Sequence, residues 1–247
     1  MFKITLSEIE LLKSTIPAIA EIIDEGVFRI DNSGFALLAP DRAMVAVVDF
    51  KILPTAFQSW SVEQPTELGL NLAHLTTVLK RAKSGDSICI EPGRGKLKIS
   101  IEGSSVRTFE IPILDIKAEK PPIEQLKFAG QVELDSSILD ESIADAEIVA
   151  DSIFIEGGPD IFRLSAKGEL KSLKIEFRPG QSGLLSLNTK LPIKSQYALD
   201  YLKKMAKIAK IVPQVCLEWG TDYPLRLTFT IIDKMRLAFI LAPRVSE

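Results

Sequence analysis

Leu114-Asp115-Ile116-Lys117-Ala118-Glu119-Lys120-Pro121-Pro122 interrupts a chain whose apolar residues otherwise recur at strand or helix spacing from end to end. Charge and paired prolines replace the periodicity there, which is the composition of an extended connection rather than of a packed element. Residues 114–127 therefore read as a linker. The stretches on either side, 1–113 and 128–247, read as two domains, and each repeats the same plan twice.

Working back from the linker, Ser105 to Ile113, Lys96 to Ile101 and Ser87 to Ile90 alternate like half-buried strands. A helix capped by Asn71 and running to about Lys83 precedes them, stopped by Ser84-Gly85-Asp86, with a strand Glu67 to Leu70 before it. The cycle nearer the N-terminus has the same order. Phe2 to Leu6 alternates, Ser7 and Glu10 have capping-box spacing, and Ile9, Leu12, Ile16, Ile19, Ile22 and Ile23 recur at helical spacing to about Asp24. Pro17 falls inside that helix and predicts a kink. Strands Gly26 to Ile30, Phe35 to Leu38 and Met44 to Phe50 follow, the first two joined by the turn Asp31-Asn32-Ser33-Gly34.

Beyond the linker the third cycle runs from strand Phe128 to Leu134 through an Asp135-capped helix ending near Glu147. Strands Ile148 to Ile155, Ile161 to Ala166 and Lys171 to Phe177 complete it. The fourth has strand Gly183 to Leu187, a helix from about Gln196 to Ile211, and strands Val215 to Trp219, Leu225 to Ile232 and Arg236 to Ala242. Four cycles of strand, helix and three strands predict an α+β protein of two similar domains, each with two helices on antiparallel sheets.

Composition bounds the function. The 247 residues are 46% hydrophobic and 26% charged, enough apolar content for a folded core. No apolar run approaches the roughly 20 residues that span a bilayer, and the N-terminus has no signal-peptide core, so a cytoplasmic protein is expected. Cys89 and Cys216 lie in apolar strands and read as buried thiols. A single histidine, His74, leaves no two-histidine metal motif, and neither metal nor cofactor is expected.

Catalytic motifs fail on spacing. Gly93-Arg94-Gly95-Lys96 has neither the earlier glycine nor the following hydroxyl of a phosphate loop. Gly180-Gln181-Ser182-Gly183 is followed by Leu184 and lacks nucleophile-elbow spacing. Asp140, Glu141, Asp145 and Glu147 splay around one helix and read as a solvated face. No enzyme is expected.

Net charge is only −3, from 30 cationic and 33 anionic residues, but the cations cluster. Lys80, Arg81 and Lys83 crowd the end of the second helix, and Lys203, Lys204, Lys207 and Lys210 occupy the fourth. Cations near a helix C-terminus are favoured by its dipole, which accounts for one or two of them. Two clusters in a mildly acidic chain point to local phosphate-binding surfaces.

Three segments carry a resemblance: Ala39-Pro40-Asp41-Arg42-Ala43-Met44-Val45-Ala46-Val47-Val48-Asp49, Arg107-Thr108-Phe109-Glu110-Ile111-Pro112-Ile113 and Leu241-Ala242-Pro243-Arg244-Val245. Leu79-Lys80-Arg81-Ala82-Lys83 adds a fourth match. In this order and spacing the chain resembles archaeal members of the proliferating cell nuclear antigen family of DNA sliding clamps. The resemblance implies the DNA clamp fold and a trimeric ring around duplex DNA that acts as a polymerase processivity factor. Lys13, Lys80, Arg81, Lys83, Lys203, Lys204, Lys207 and Lys210 would face the DNA. Pro40, Met44, Val45, Val47, Ile123, Leu126, Pro224, Ala242 and Pro243 would form the pocket for a short peptide of polymerase, flap endonuclease, ligase and clamp loader. Arg107, Phe109 and Ile111 of one subunit would meet Leu173, Ile175 and Phe177 of the next. Such a clamp would act in the cytoplasm, at the nucleoid.

The sequence departs from the family where relatives carry cations on the third helix: Asp140, Glu141 and Ala144 stand there. This leaves open a divergent subunit of a heterotrimer, or a regulatory clamp-like protein with weak DNA contact.

Overall fold

The structure is a computed structural model that describes residues 1–118 and 120–244, so Val245 of the quoted C-terminal segment lies outside the described residues. Two compact units emerge. The first holds Met1–Arg42, Val48–Pro121 and Ile231–Leu237; the second holds Ala43–Val47, Pro122–Thr230 and 238–244.

In the first unit, β1 (Phe2–Leu6), α1 (Glu10–Ala20), β2 (Glu25–Asp31), β3 (Gly34–Pro40) and β4 (Ala46–Ile52) come first. They are followed by β5 (Ser59–Val62), β6 (Thr66–Asn71), α2 (Leu72–Leu79), β7 (Ser87–Pro92), β8 (Lys96–Glu102) and β9 (Val106–Pro112). One antiparallel sheet has the order β5-β1-β7-β8-β9, and β6-β2-β3-β4 form a second. Alternation explains the layering: Ile88 and Ile90 of β7, and Leu97, Ile99 and Ile101 of β8, are buried, as are Leu12, Ile16 and Ile19 of α1. α1 and α2 pack against each other.

The turn after β2 has the chemistry its sequence predicts. The Asp31 carboxylate accepts from the Ser33 amide at 2.7 Å, and Gly34 takes φ 136°. The Ser33 hydroxyl bond is the main cause holding the Asp31 carboxyl below the usual carboxylate range.

The second unit repeats the plan with β10 (Gly130–Asp135), α3 (Ser136–Glu147), β11 (Ser152–Gly158), β12 (Ile161–Lys167) and β13 (Ser172–Phe177). Then come β14 (Leu184–Thr189), β15 (Ile193–Ala198), α4 (Leu199–Ala206), β16 (Gln214–Trp219) and β17 (Leu225–Ile231), while β18 (Met235–Leu241) contributes its second half. The sheet orders are β14-β10-β16-β17-β18 and β13-β12-β11-β15. α3 packs on α4, and Trp219, Tyr197, Phe162 and Phe229 fill the core.

Several expectations need correction. The Ser7–Glu10 capping box does not form, because α1 starts one residue after an uncapped Ile9 and ends at Ala20 rather than Asp24. The helix nevertheless runs through Pro17. α2 stops at Leu79, not Lys83. Asp135 sits at the start of α3, but its side chain makes no capping hydrogen bond. β11 begins at Ser152, because Ile148 and Val149 instead close the last turn of α3 through bonds to Asp145 and Ala146. The fourth helix begins at Leu199, since Ile193–Ala198 is a strand that pairs with β11 in register from Ser152 to Gly157. β5 was also not expected; it pairs with β1. Cys216 is half-buried rather than buried. Among the described residues no helix is long and apolar enough to cross a membrane.

Candidate nucleic-acid interface and docking cup

In the first unit the cations gather just past α2. The Asn71 carbonyl oxygen of the side chain accepts from the His74 amide at 3.0 Å and starts the helix. Lys80 ends it, and Lys80, Arg81 and Lys83 are all exposed. The Arg107 guanidinium closes this corner from β9, donating to the Arg81 carbonyl at 2.9 Å and to Asp86 at 2.7 Å. Asp86 also accepts from the Lys83 amide at 3.0 Å. Asp86 is thus engaged by Arg107, and the three helix-end cations are exposed. Lys13 on α1 lies 3.5 Å from Glu10, one turn away.

In the second unit, α4 gives way at Lys207 to a 3-10 turn, Lys207–Lys210. At three residues per turn Lys207 and Lys210 stack on one side. Lys203 pairs with Glu147 of α3 at 3.0 Å, and the Lys204 ammonium lies 5.3 Å from the Tyr201 ring centroid. Asp140, Glu141, Ala144 and Asp145 are exposed on α3. Between the two helices of this unit, α4 and its 3-10 extension carry the lysines and α3 carries exposed carboxylates.

The docking-pocket residues divide between the units. Pro40 ends β3 in the first unit. The others fall in the second. Met44 is 67% exposed and held at φ 57°, a left-handed conformation that a non-glycine side chain adopts at a cost of order 1 kcal/mol or more. Val45 accepts from the Ala242 amide at 2.9 Å, which sets Val45 and Val47, both half-buried, beside the C-terminal Ala242 and Pro243. The Arg244 amide donates to the Gln196 carbonyl at 2.7 Å, and its guanidinium holds Asp151 at 2.9 Å. That ion pair is the main cause lowering the Asp151 carboxyl below its usual range. β17 and β18 are neighbours joined by a short turn, so Pro224 before β17 and Ala242 after β18 lie at the same end. Ile123 opens a 3-10 turn of the linker, Ile123–Gln125, followed by half-buried Leu126.

Sequence reasoning missed what fastens this linker turn. The Arg226 guanidinium donates to the Ile123 carbonyl at 3.4 Å, and the Lys127 amide donates to the Tyr223 hydroxyl at 3.2 Å. Alternation places Arg226 on the outward side of β17, where a cation is unremarkable, so the pattern carried no signal of its role.

The expected subunit contacts lie on sheet edges. β9 ends the first unit's five-stranded sheet and β13 ends the second unit's four-stranded sheet, each with one side unpaired among the described residues. On β9, Phe109 is half-buried and Ile111 buried; on β13, Leu173, Ile175 and Phe177 are half-buried on one face. Both strands carry an apolar row facing inward and an open backbone edge.

The chain matches known proteins over nearly its whole length. The family model described as the N-terminal domain of proliferating cell nuclear antigen matches residues 1–105, and the C-terminal domain model matches residues 122–244. A DNA polymerase sliding clamp of Nanoarchaeum equitans is 35% identical over 246 residues, covering 98% of this chain and 99% of that protein. One from Thermococcus gammatolerans is 32% identical over 247 residues, covering 100% and 99%. The crystal structure of proliferating cell nuclear antigen from Thermococcus kodakaraensis superposes with a TM-score of 0.93 at 25% identity, covering 99% of this chain and 100% of that one.

Proposed function

The chain belongs to the proliferating cell nuclear antigen family, and from that premise we propose that it is a DNA sliding clamp, a ring that encircles duplex DNA and keeps a polymerase attached. The observation that carries this reading is the match of both halves, in order and at nearly full length, to the two clamp domains. Two unpaired edges with apolar inner rows, β9 and β13, support head-to-tail closure into a ring of three. Pairing Arg107, Phe109 and Ile111 of one subunit with Leu173, Ile175 and Phe177 of the next would satisfy both edges.

Lys13, Lys80, Arg81, Lys83, Lys203, Lys204, Lys207 and Lys210 would contact phosphates, Lys13 and Lys203 in competition with the carboxylates of Glu10 and Glu147. Contacts of this kind ignore base sequence and weaken with salt, as a sliding ring requires. The cup around Met44, Val45, Val47, Ile123, Leu126, Pro224, Ala242 and Pro243 would take a short aromatic-bearing peptide from polymerase, flap endonuclease, ligase and the clamp loader. The clamp itself would catalyse nothing and work at the nucleoid, opened by an ATP-driven loader.

Retention on nicked circular DNA tests the whole reading. A ring survives on a closed circle and is lost when the circle is linearised; equal loss from both forms would refute encirclement. A second reading, a subunit of a heterotrimer, is favoured by the acidic α3. The mass of the purified chain decides it: a trimer supports self-sufficiency, a monomer that trimerises only with sibling chains supports the second.

A further inference from the structure

The linker turn bearing Ile123 and Leu126 does not hold itself. Its two closing hydrogen bonds, from Gln125 to Pro122 and from Leu126 to Ile123, are both 3.4 Å long, it has no side-chain cap, and none of its residues is buried. Three-residue 3-10 turns of this kind are marginal without tertiary support.

Arg226 supplies that support with three sides of one planar group. Its Nη1 faces Glu218 at 3.3 Å, its Nη2 donates to the Ile123 carbonyl at 3.4 Å, and its guanidinium carbon lies 4.5 Å from the Phe128 ring centroid. Glu218 is the cross-strand partner of Arg226, in the register Glu218–Arg226 of β16 and β17, so the cation is aimed from a rigid sheet. Phe128 is held in turn by Tyr223, ring centroids 5.8 Å apart at 82°, and Tyr223 receives the Lys127 amide. Tyr223 is itself tied down, its carbonyl accepting from the buried Tyr197 hydroxyl at 2.6 Å. The turn is therefore gripped at Ile123 on one side and at Lys127 and Phe128 on the other.

We infer that Arg226 is a positioning residue for peptide docking: it latches the linker turn onto β17 so that Ile123 and Leu126 are presented in place before a peptide arrives. This rests on the proposed docking cup and adds to it a residue that touches the linker rather than the peptide. A ligand whose site is formed only part of the time binds more weakly by that fraction. Unlatching that leaves the turn in place about one tenth of the time weakens affinity about tenfold. The geometry also requires arginine. Lysine keeps the charge, but a single ammonium cannot face a carboxylate, reach a carbonyl and lie on a ring together.

The test compares R226M, R226K and M44E with the full chain, using a synthetic fluorescein-labelled peptide with two adjacent aromatic residues, stopped-flow association and amide exchange. R226M is expected to bind about tenfold and R226K about threefold more weakly, through slower association with an unchanged dissociation rate and an unchanged melting temperature. Exchange over 123–128 should rise in free R226M and return to the wild-type level when peptide saturates it. Unchanged exchange over 123–128 in R226M overturns the latch whatever the peptide does. Wild-type affinity in R226M beside lost binding in M44E overturns its role in docking and leaves the cup standing. Wild-type binding by M44E refutes the cup reading, and the role in docking with it.

Discussion

Lys203 on α4 meets Glu147 on α3 at 3.0 Å, so a cation that the sequence assigns to DNA is already engaged by the acidic helix beside it. The pair is well exposed, 59% and 33%, and contributes about 0–1 kcal/mol to stability. E147Q should release Lys203 for a phosphate at almost no cost in melting temperature. Retention on circular DNA, measured against KCl concentration, should then show a slope steeper by about 0.9 for the one added contact. An unchanged slope would place Lys203 away from the DNA.

K80E combined with K207E removes a cation from each cluster and adds two repulsive charges. DNA retention should fall and its salt slope flatten by about 2, while the mass of the assembled protein stays the same. Loading and polymerase stimulation at wild-type levels would refute the assignment of both helix ends to the channel.

Gly69 of β6 lies against the start of the linker: the Leu114 amide donates to its carbonyl at 2.8 Å, and a Cβ there would come 2.3 Å from the Leu114 carbonyl oxygen. Ile116 would be 2.7 Å away. G69V must therefore push Leu114 off the β6 edge. We expect about 1–3 kcal/mol of destabilisation by chemical denaturation and faster tryptic cleavage after Lys117, with G69A milder. Cleavage at the wild-type rate would show that the linker's start is held elsewhere.

Burial pushes the Cys216 thiol up from 9.0 to about 11, against the smaller opposing effect of the Gln131 amide that donates to its sulfur at 3.3 Å. Below pH 9 the folded and unfolded chains both keep this proton. Between pH 9 and about 11 the unfolded chain loses it while the folded one holds it, so stability falls as pH rises through that window. Melting temperature against pH should fall more steeply in the wild type than in C216S, which has no thiol to titrate. Parallel curves would mean that Cys216 is as open in the folded chain as in the unfolded one.

Elements with their own local chemistry were legible. The Asp31-to-Gly34 turn, the Asn71 cap and the alternation of β7, β8 and β9 are set by residues a few positions apart. What failed was decided from afar. Ser195 and Tyr197 are core residues of β15 because Ile155 and Ile153 lie opposite them, whereas in sequence they run smoothly into the helical spacing of Leu199 and Leu202. β5 is four residues long and exists through its pairing with β1. At the candidate site, the cation clusters and the C-terminal segment could be read directly, but the linker's fastening could not: Arg226 and Ile123 are 103 positions apart.

The two open edges, β9 and β13, also bear on how much of this chain a cell can tolerate. Each is a row of unmatched donors and acceptors beside an apolar stripe, complementary to the other edge on a second copy and to stray strands of unrelated chains. Folding alone leaves both exposed; in the proposed ring, assembly would cover them. Surplus copies, or a chain made without the siblings it needs, would hold adhesive edges for as long as they stay unassembled. Abundance matched to assembly, with prompt degradation of the excess, is then as much a condition of its solubility as any residue on its surface.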